Sequence, residues 1–208
     1  MPRPPFLSLD GLDGTGKSTQ CRLLADWLRA QGHAVTTCVD PGGTAMGGKL
    51  RELVLHFRPD VDPMCEALLF MASRAQLIAE VILPALEAGQ IVLSDRFLLA
   101  NVVYQGYAGG LDVERLSEVG RFATGGLEPD LTIVLDLPPE QAALRRGRPG
   151  DRIESRGAEY HSRLRRGFRT EAERHPERIR ILDAAPPVSV VQDAIRREVA
   201  SVLGIKGG

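Results

Sequence analysis

The sequence predicts an α/β fold in which a five-stranded parallel sheet is flanked by helices. Three observations carry that expectation. Short apolar runs alternate with longer stretches of helical periodicity, the order that arises when parallel strands are joined by helical crossovers. The first apolar run leads through a glycine-rich turn into an amphipathic helix at 17–30. Hydrophobic residues make up 43% and charged residues 25% of a 208-residue chain, the makeup of one well-buried globular core and short for two, so 1–208 is expected to form a single domain.

Candidate strands lie at 6–10, 34–39, 91–95, 131–137 and 179–183. Between the first two, Leu23, Leu24, Trp27 and Leu28 fall on one helical face, and Gly32 sits where that helix should stop. Residues 63–86 read as a longer helix that Pro84 kinks or shortens, with Gly89 supplying the turn into the next strand. Further helical patterns cover 112–123, 139–146, 158–175 and 188–203. The stretch 147–157 is glycine-rich, charged and nearly without apolar residues, and it reads as a mobile loop. There is no internal repeat.

A formal net charge of −1 argues against a nucleic-acid-binding surface spread over the fold, because such surfaces draw their affinity from neutralising phosphates. Arginine carries almost all the positive charge, since only Lys17, Lys49 and Lys206 are lysines. Cys21, Cys38 and Cys65 are too few and too irregularly spaced for a disulfide framework or a zinc site. Residues 1–5 lack the apolar run of a signal peptide, and no segment is expected to cross a bilayer. A reducing cytoplasm fits these observations, with neither nucleic acid nor membrane as a partner.

Chemistry enters at Gly11-Leu12-Asp13-Gly14-Thr15-Gly16-Lys17-Ser18, followed by Thr19, which fits the Walker A pattern between the first strand and first helix. The glycines let backbone N–H groups curl around phosphates, and the helix N-terminus adds its positive dipole end. Lys17 is expected to reach the β- and γ-phosphates of a nucleoside triphosphate, and Ser18 to bind Mg²⁺. The loop fixes the donor and leaves the reaction open, because kinases, GTPases and motor ATPases share it.

A second candidate is the buried strand at 91–95, which ends in an acid followed by a base. The carboxyl ends of strands are where open α/β sheets bind ligands. Asp95 is placed to hold Mg²⁺ or its water, and Arg96 to clamp a phosphate bidentately.

Gly11 to Ser18, Asp40-Pro41-Gly42-Gly43-Thr44, Phe70 to Arg74, Asp95-Arg96-Phe97, Tyr104-Gln105-Gly106, Pro129-Asp130-Leu131-Thr132 and Asp151-Arg152-Ile153-Glu154 occur in the order seen in thymidylate kinases. The ordered set resembles that family from Phe6 to about Leu203. The resemblance implies a three-layer P-loop kinase fold with a mobile lid at about 147–157, ATP and dTMP as substrates, Mg²⁺ as cofactor and a homodimer. It implies that Phe70 stacks on thymine, Arg74 meets its O4 edge, Asn101 meets its polar edge and Tyr104 crowds C2′ of the sugar. Arg51 and Arg96 would hold the dTMP phosphate, and Asp13 would approach the 3′-hydroxyl or that phosphate. Where the family often carries an arginine before the acid of the Pro-Gly-Gly segment, Val39 precedes Asp40.

Some thymidylate kinases place an arginine in the P-loop immediately after its acid, and others supply arginines from the lid. Gly14 occupies that place, while Arg145, Arg146, Arg148, Arg152 and Arg156 stand in or beside the lid, resembling the type common in bacteria. Arg148 and Arg152 are the candidates for the transferring phosphate, acting with Lys17, Asp13 and Arg96. Arg145 or Arg146 would lie along adenine, and the backbone at 183–187 would contact it. Two alternatives remain open from the residues: a kinase for dUMP, another nucleoside monophosphate or a deoxynucleoside, and a P-loop ATPase switch. The second lacks a clear water-positioning residue.

Overall fold

The computed structural model describes residues 3–57, 61–146, 153 and 156–204. Five strands, β1 (Phe6–Gly11), β2 (Val35–Val39), β3 (Ile91–Asp95), β4 (Leu131–Asp136) and β5 (Ile179–Asp183), form one sheet in the order β2-β3-β1-β4-β5. Every pairing is parallel. All six residues of β1 are buried, as befits a central strand covered on both faces, whereas the edge strands β2 and β5 are partly exposed. The chain builds β2 and β3 on one side of β1 and then crosses to build β4 and β5 on the other. The loops leaving the carboxyl ends of β1 and β3 therefore open where the strand order reverses, the crevice in which such sheets bind ligands.

Helices α1 (Lys17–Ala30), α2 (Ala45–His56), α3 (Pro63–Leu77), α4 (Leu83–Glu87), α5 (Leu98–Asn101), α6 (Val113–Ala123), α7 (Pro139–Arg146), α8 (Ala158–Arg174) and α9 (Val188–Leu203) complete the described elements. Alternation along each strand divides the core. Phe6 pairs with Val92 and joins Leu77, Ile82, Leu86 and Phe97, while the adjacent pair Leu7 and Leu93 joins Leu24 and Leu28 of α1 and Ile195 and Val199 of α9. Phe6 and Phe97 meet edge to face with ring centroids 4.8 Å apart.

Four features differ from the sequence expectation. The helix expected at 63–86 is α3 joined through a π-helical turn, Ile78–Ile82, to α4, which begins one residue before Pro84. A ring without an N–H is tolerated there at the first turn. This run of 25 residues, Pro63–Glu87, is also long and apolar enough by length and composition to cross a bilayer, against the expectation that no segment would be. In the fold 44% of its most apolar window is buried, and the run contains Glu66 and Arg74 in a polar network inside the protein.

The sequence reading also omitted α2 and the helical segment that runs from α5 through a second π-helical stretch, Val102–Ala108. Two glycines hide α2, but Gly47 is required by packing: a Cβ there would stand 2.8 Å from the Gly42 carbonyl oxygen. Thr44 caps the helix by accepting from the Gly47 N–H at 2.9 Å. The second π-helical stretch widens the helix where Tyr104 and Gln105 turn inward, a location typical of functional sites.

Candidate active site

β1 ends in Gly11, and the loop that follows curls back to start α1 at Lys17, with Gly16 as its cap. The curl needs glycine. Gly11 has φ +128° and a Cβ would sit 2.4 Å from the Leu135 carbonyl oxygen; Gly14 has φ +92° and a Cβ would sit 2.0 Å from that of Ala142 in α7. Thr15 Oγ1 and Lys17 Nζ both donate to the Leu12 carbonyl, at 2.9 and 2.8 Å. Burial and the neighbouring Arg96 charge lower the Lys17 pKa, against Asp13, whose carboxylate lies 3.6 Å away. A phosphate arriving over the loop would exchange the Leu12 carbonyl for a charged partner.

At the end of β3, Asp95 and Arg96 both face this loop. Ser18 Oγ donates to Asp95 Oδ2 at 2.5 Å. Hydroxyl and carboxylate are hard oxygen donors, and the pair suits Mg²⁺, which completes its shell with water and phosphate oxygens. Arg96 takes φ +72°, the left-handed region, an uncommon backbone for a side chain with a Cβ. Its guanidinium donates to the Gly11 carbonyl at 2.9 Å, Asp13 Oδ1 at 2.6 Å and Tyr104 Oη at 3.1 Å. Tyr104 in turn donates to Asp13 Oδ2 at 3.1 Å. Burial pushes the Asp13 carboxyl up, but Arg96, Lys17 and these hydrogen bonds prevail and hold it well below the usual carboxylate range.

Two cavities meet at this triangle. The first is lined by Phe70, Arg74, Asn101 and Tyr104 together with Arg51, Arg96 and Asp13, so the residues expected for the acceptor do converge. The second is lined by Gly14, Gly16, Lys17, Ser18, Thr19, Asp95 and Arg145, again with Asp13, Arg51 and Arg96. The two cavities thus share one acid and two arginines, Asp13, Arg51 and Arg96.

Arg74 is 2% exposed. Its Nε donates to Asp40 Oδ2 at 2.5 Å, its Nη1 to Asn101 Oδ1 at 3.0 Å, and its Nη2 to the Phe97 carbonyl at 3.4 Å. Burial raises the Asp40 pKa against the pull of Arg74. Arg51 Nη1 donates to the Pro41 carbonyl at 2.8 Å, and the Asp40–Pro41 peptide is cis. The segment between β2 and α2 thus positions both arginines at the acceptor cavity.

Arg148 and Arg152, expected to meet the transferring phosphate, lie outside the described residues, as does most of 147–157. Of that stretch, Ile153 is buried and lines the acceptor cavity, and Arg156 pairs with Glu66 at 3.0 Å and donates to Tyr160 Oη at 2.9 Å. Arg145 donates to the Ala184 and Ala185 carbonyls at 2.6 and 2.8 Å, which brings it to the segment after β5 where adenine contacts were expected.

Residues 9–195 match the sequence model of a family described as thymidylate kinase. The chain belongs to the thymidylate kinase family. It is 44% identical over 212 residues to the thymidylate kinase of Desulfovibrio desulfuricans, covering 97% of this chain and 98% of that one. It is 45% identical over 200 residues to that of Symbiobacterium thermophilum, covering 95% and 94%. The crystal structure of thymidylate kinase from Ehrlichia chaffeensis superposes with a TM-score of 0.78 at 26% identity, covering 95% of this chain and 99% of that one. Within this thymidylate kinase fold, four buried polar residues in or behind the site received no role from the sequence: Asp10, Asp40, Glu66 and Gln105. Asp10 lies in β1, immediately before the glycine that opens the loop, with its carboxylate 4.0 Å from Arg96 Nη1. It is wholly buried, among the described residues neither carboxylate oxygen has a hydrogen-bond partner, and burial pushes its pKa up to about 7 against the pull of Arg96 and Lys17.

Proposed function

We propose that this chain transfers the γ-phosphate of ATP to dTMP, giving dTDP and ADP. The observation that carries the reading, beside family membership, is the junction of the two cavities at Asp13, Arg51 and Arg96. The acceptor oxygen of a nucleotide phosphate is already anionic at neutral pH, so the protein needs to align two anions and neutralise their repulsion, with no strong general base. Lys17 and the loop N–H groups hold the donor phosphates. Ser18 and Asp95 hold Mg²⁺, which when bound neutralises charge at the β- and γ-phosphates. Arg96, held by Gly11, Asp13 and Tyr104, clamps the acceptor phosphate with Arg51, and the fixed guanidinium lowers the reorganisation needed at transfer. Arg148 and Arg152 add positive charge from the lid, and Arg145 borders adenine.

In the acceptor cavity Phe70 stacks on the thymine ring, Arg74 donates to O4 and Asn101 meets N3–H, while the Tyr104 ring crowds C2′ and disfavours ribose. The test is ADP formation from ATP and Mg²⁺ with dTMP, dUMP, dCMP, dGMP or no acceptor, with Lys17→Ala as blank. Preference for dTMP supports the reading. ADP without an acceptor, or preference for another monophosphate, overturns it.

The same reading includes a homodimer. Met46, Leu53 and Phe57 of α2 and its cap, Met64 and Leu68 of α3, and Val119 and Phe122 of α6 leave apolar side chains exposed, with Phe122 at 90%. The reading places the enzyme in the cytoplasm, where the three free cysteines stay reduced.

A further inference from the structure

Behind the acceptor cavity four buried polar side chains form one chain of hydrogen bonds. Arg74 Nη1 donates to Asn101 Oδ1 at 3.0 Å, Asn101 Nδ2 donates to Gln105 Oε1 at 2.7 Å, and Gln105 Nε2 donates to Glu66 Oε1 at 2.8 Å. Each of the four is at most 2% exposed. Glu66 does not line the cavity, whereas Arg74, Asn101 and Gln105 do. Its other oxygen, Oε2, accepts from Arg156 Nη2 at 3.0 Å.

The two ends of this chain cannot be reversed. A guanidinium has donors and no acceptor, and a carboxylate has acceptors and no donor. An amide can turn end for end, but two amides between a fixed donor and a fixed acceptor have one orientation in which all three bonds form. Reversing Asn101 would set its NH₂ against Arg74 and its carbonyl against the Gln105 carbonyl. Reversing Gln105 as well would move the second clash to Glu66, carbonyl against carboxylate. In a dry site each such mismatch leaves buried polar groups unpaired, which is costly.

We propose that Glu66 is a specificity-determining positioning residue: through Gln105 it fixes the Asn101 carbonyl toward the base, so that the cavity accepts a pyrimidine bearing N3–H and rejects one bearing an N3 lone pair. The inference rests on the proposed seating of the base edge against Arg74 and Asn101. Thymine and uracil offer O4 as acceptor beside N3–H as donor, complementing an Arg74 donor beside an Asn101 carbonyl. Cytosine offers an amino group beside a bare N3 and opposes both. Asn101 could meet cytosine's N3 by turning its amide; Arg74 opposes the turn at one end of the relay, and the Glu66 carboxylate adds a second mismatch at the other.

Glu66→Gln is nearly isosteric and gives the relay an end that either donates or accepts, so reversing both amides then leaves one mismatch, at Arg74, in place of two. The measurement is kcat/KM for dTMP, dCMP and dUMP in the unaltered enzyme and in Glu66→Gln, Gln105→Leu and Arg156→Met. A ratio of kcat/KM values is independent of the fraction of folded enzyme, so lost stability alone leaves it unmoved. The dTMP-to-dCMP ratio is expected to fall about tenfold in Glu66→Gln and in Gln105→Leu, because turning Asn101 toward cytosine then costs one buried mismatch in place of two. The dTMP-to-dUMP ratio should hold, since both bases carry N3–H. In Arg156→Met, which removes the ion pair and spares the relay, kcat is free to fall and the dTMP-to-dCMP ratio is not. An unchanged dTMP-to-dCMP ratio in Glu66→Gln, or an equal fall in Arg156→Met, overturns the relay while leaving the kinase reading intact. Absence of any dTMP preference in the unaltered enzyme overturns the seating of the base, and the relay with it.

Discussion

Replacing Asp10 by asparagine should stabilise the ligand-free protein, and more so as the pH rises. The carboxyl is completely buried, lacks hydrogen bonds to either oxygen among the described residues, and has its pKa raised from 3.8 to about 7 by burial, which outweighs the attraction of Arg96 and Lys17. A group whose pKa is higher in the native state than in the unfolded chain binds more protons when folded. Its contribution to stability is therefore greatest below the unfolded pKa and is lost as pH rises through the native one. Between pH 5 and pH 8 the rise through about two pH units to the native value corresponds to roughly 3 kcal/mol. Asparagine carries no charge at either pH and escapes the loss. Urea unfolding of both proteins at the two pH values, without nucleotide or metal, isolates the term because every other titrating group is common to the pair. The stability gap, variant minus parent, should widen by up to about 3 kcal/mol, or roughly 6–12 °C in Tm for a chain of this size. A gap that is the same at both pH values would refute the claim that burial outweighs the attraction of Arg96 and Lys17 at Asp10.

Three further outcomes follow from the same geometry. Arg74→Leu removes the guanidinium from a completely buried Asp40 and should cost about 3–5 kcal/mol in urea unfolding at neutral pH, beyond any effect on dTMP; a loss below about 1 kcal/mol would show that Asp40 is not held by that ion pair. Gly14→Arg, the residue that some thymidylate kinases carry at this place, should lose about 2 kcal/mol or more and bind ATP poorly by calorimetry, because its Cβ would stand 2.0 Å from the Ala142 carbonyl oxygen. Tyr104→Phe removes the hydroxyl shared by Arg96 and Asp13 and should lower kcat about tenfold while preserving the preference for dUMP over UMP, whereas Tyr104→Ala should erode that preference; steady-state kinetics with both acceptors separates ring from hydroxyl.

The strands were legible to within a residue or two because parallel strands buried on both faces read as unbroken apolar runs, and β3 was read with the bounds it has. The phosphate loop was legible for a different reason: its backbone geometry demands glycines at fixed spacing, and the demand is written in the letters. What escaped was whatever depends on partners distant in the chain. Asp40 lies 34 residues before the arginine it holds, and Glu66 lies 39 residues before Gln105. Neither spacing is periodic, and each acid by itself resembles a surface residue. Gln105 was visible only as a letter between Tyr104 and Gly106, since its role arises from the widened π-helical turn that swings it inward. α2 escaped because Gly47 answers to the Pro-Gly-Gly segment packed against it, a tertiary reason that overrides helix propensity.

The left-handed backbone at Arg96 has a mechanical consequence. Neighbouring residues of a regular strand point to opposite faces, so an acid and a base in successive positions would ordinarily serve opposite sides of the sheet. At the end of β3 one unusual torsion cancels the alternation, and Asp95 reaches Ser18 while Arg96 reaches Gly11 and Asp13. The groups proposed for the metal and for the acceptor phosphate are thereby joined through a single peptide. Because that peptide is planar and fixes its two Cα atoms about 3.8 Å apart, a displacement of one residue's backbone carries the other with it.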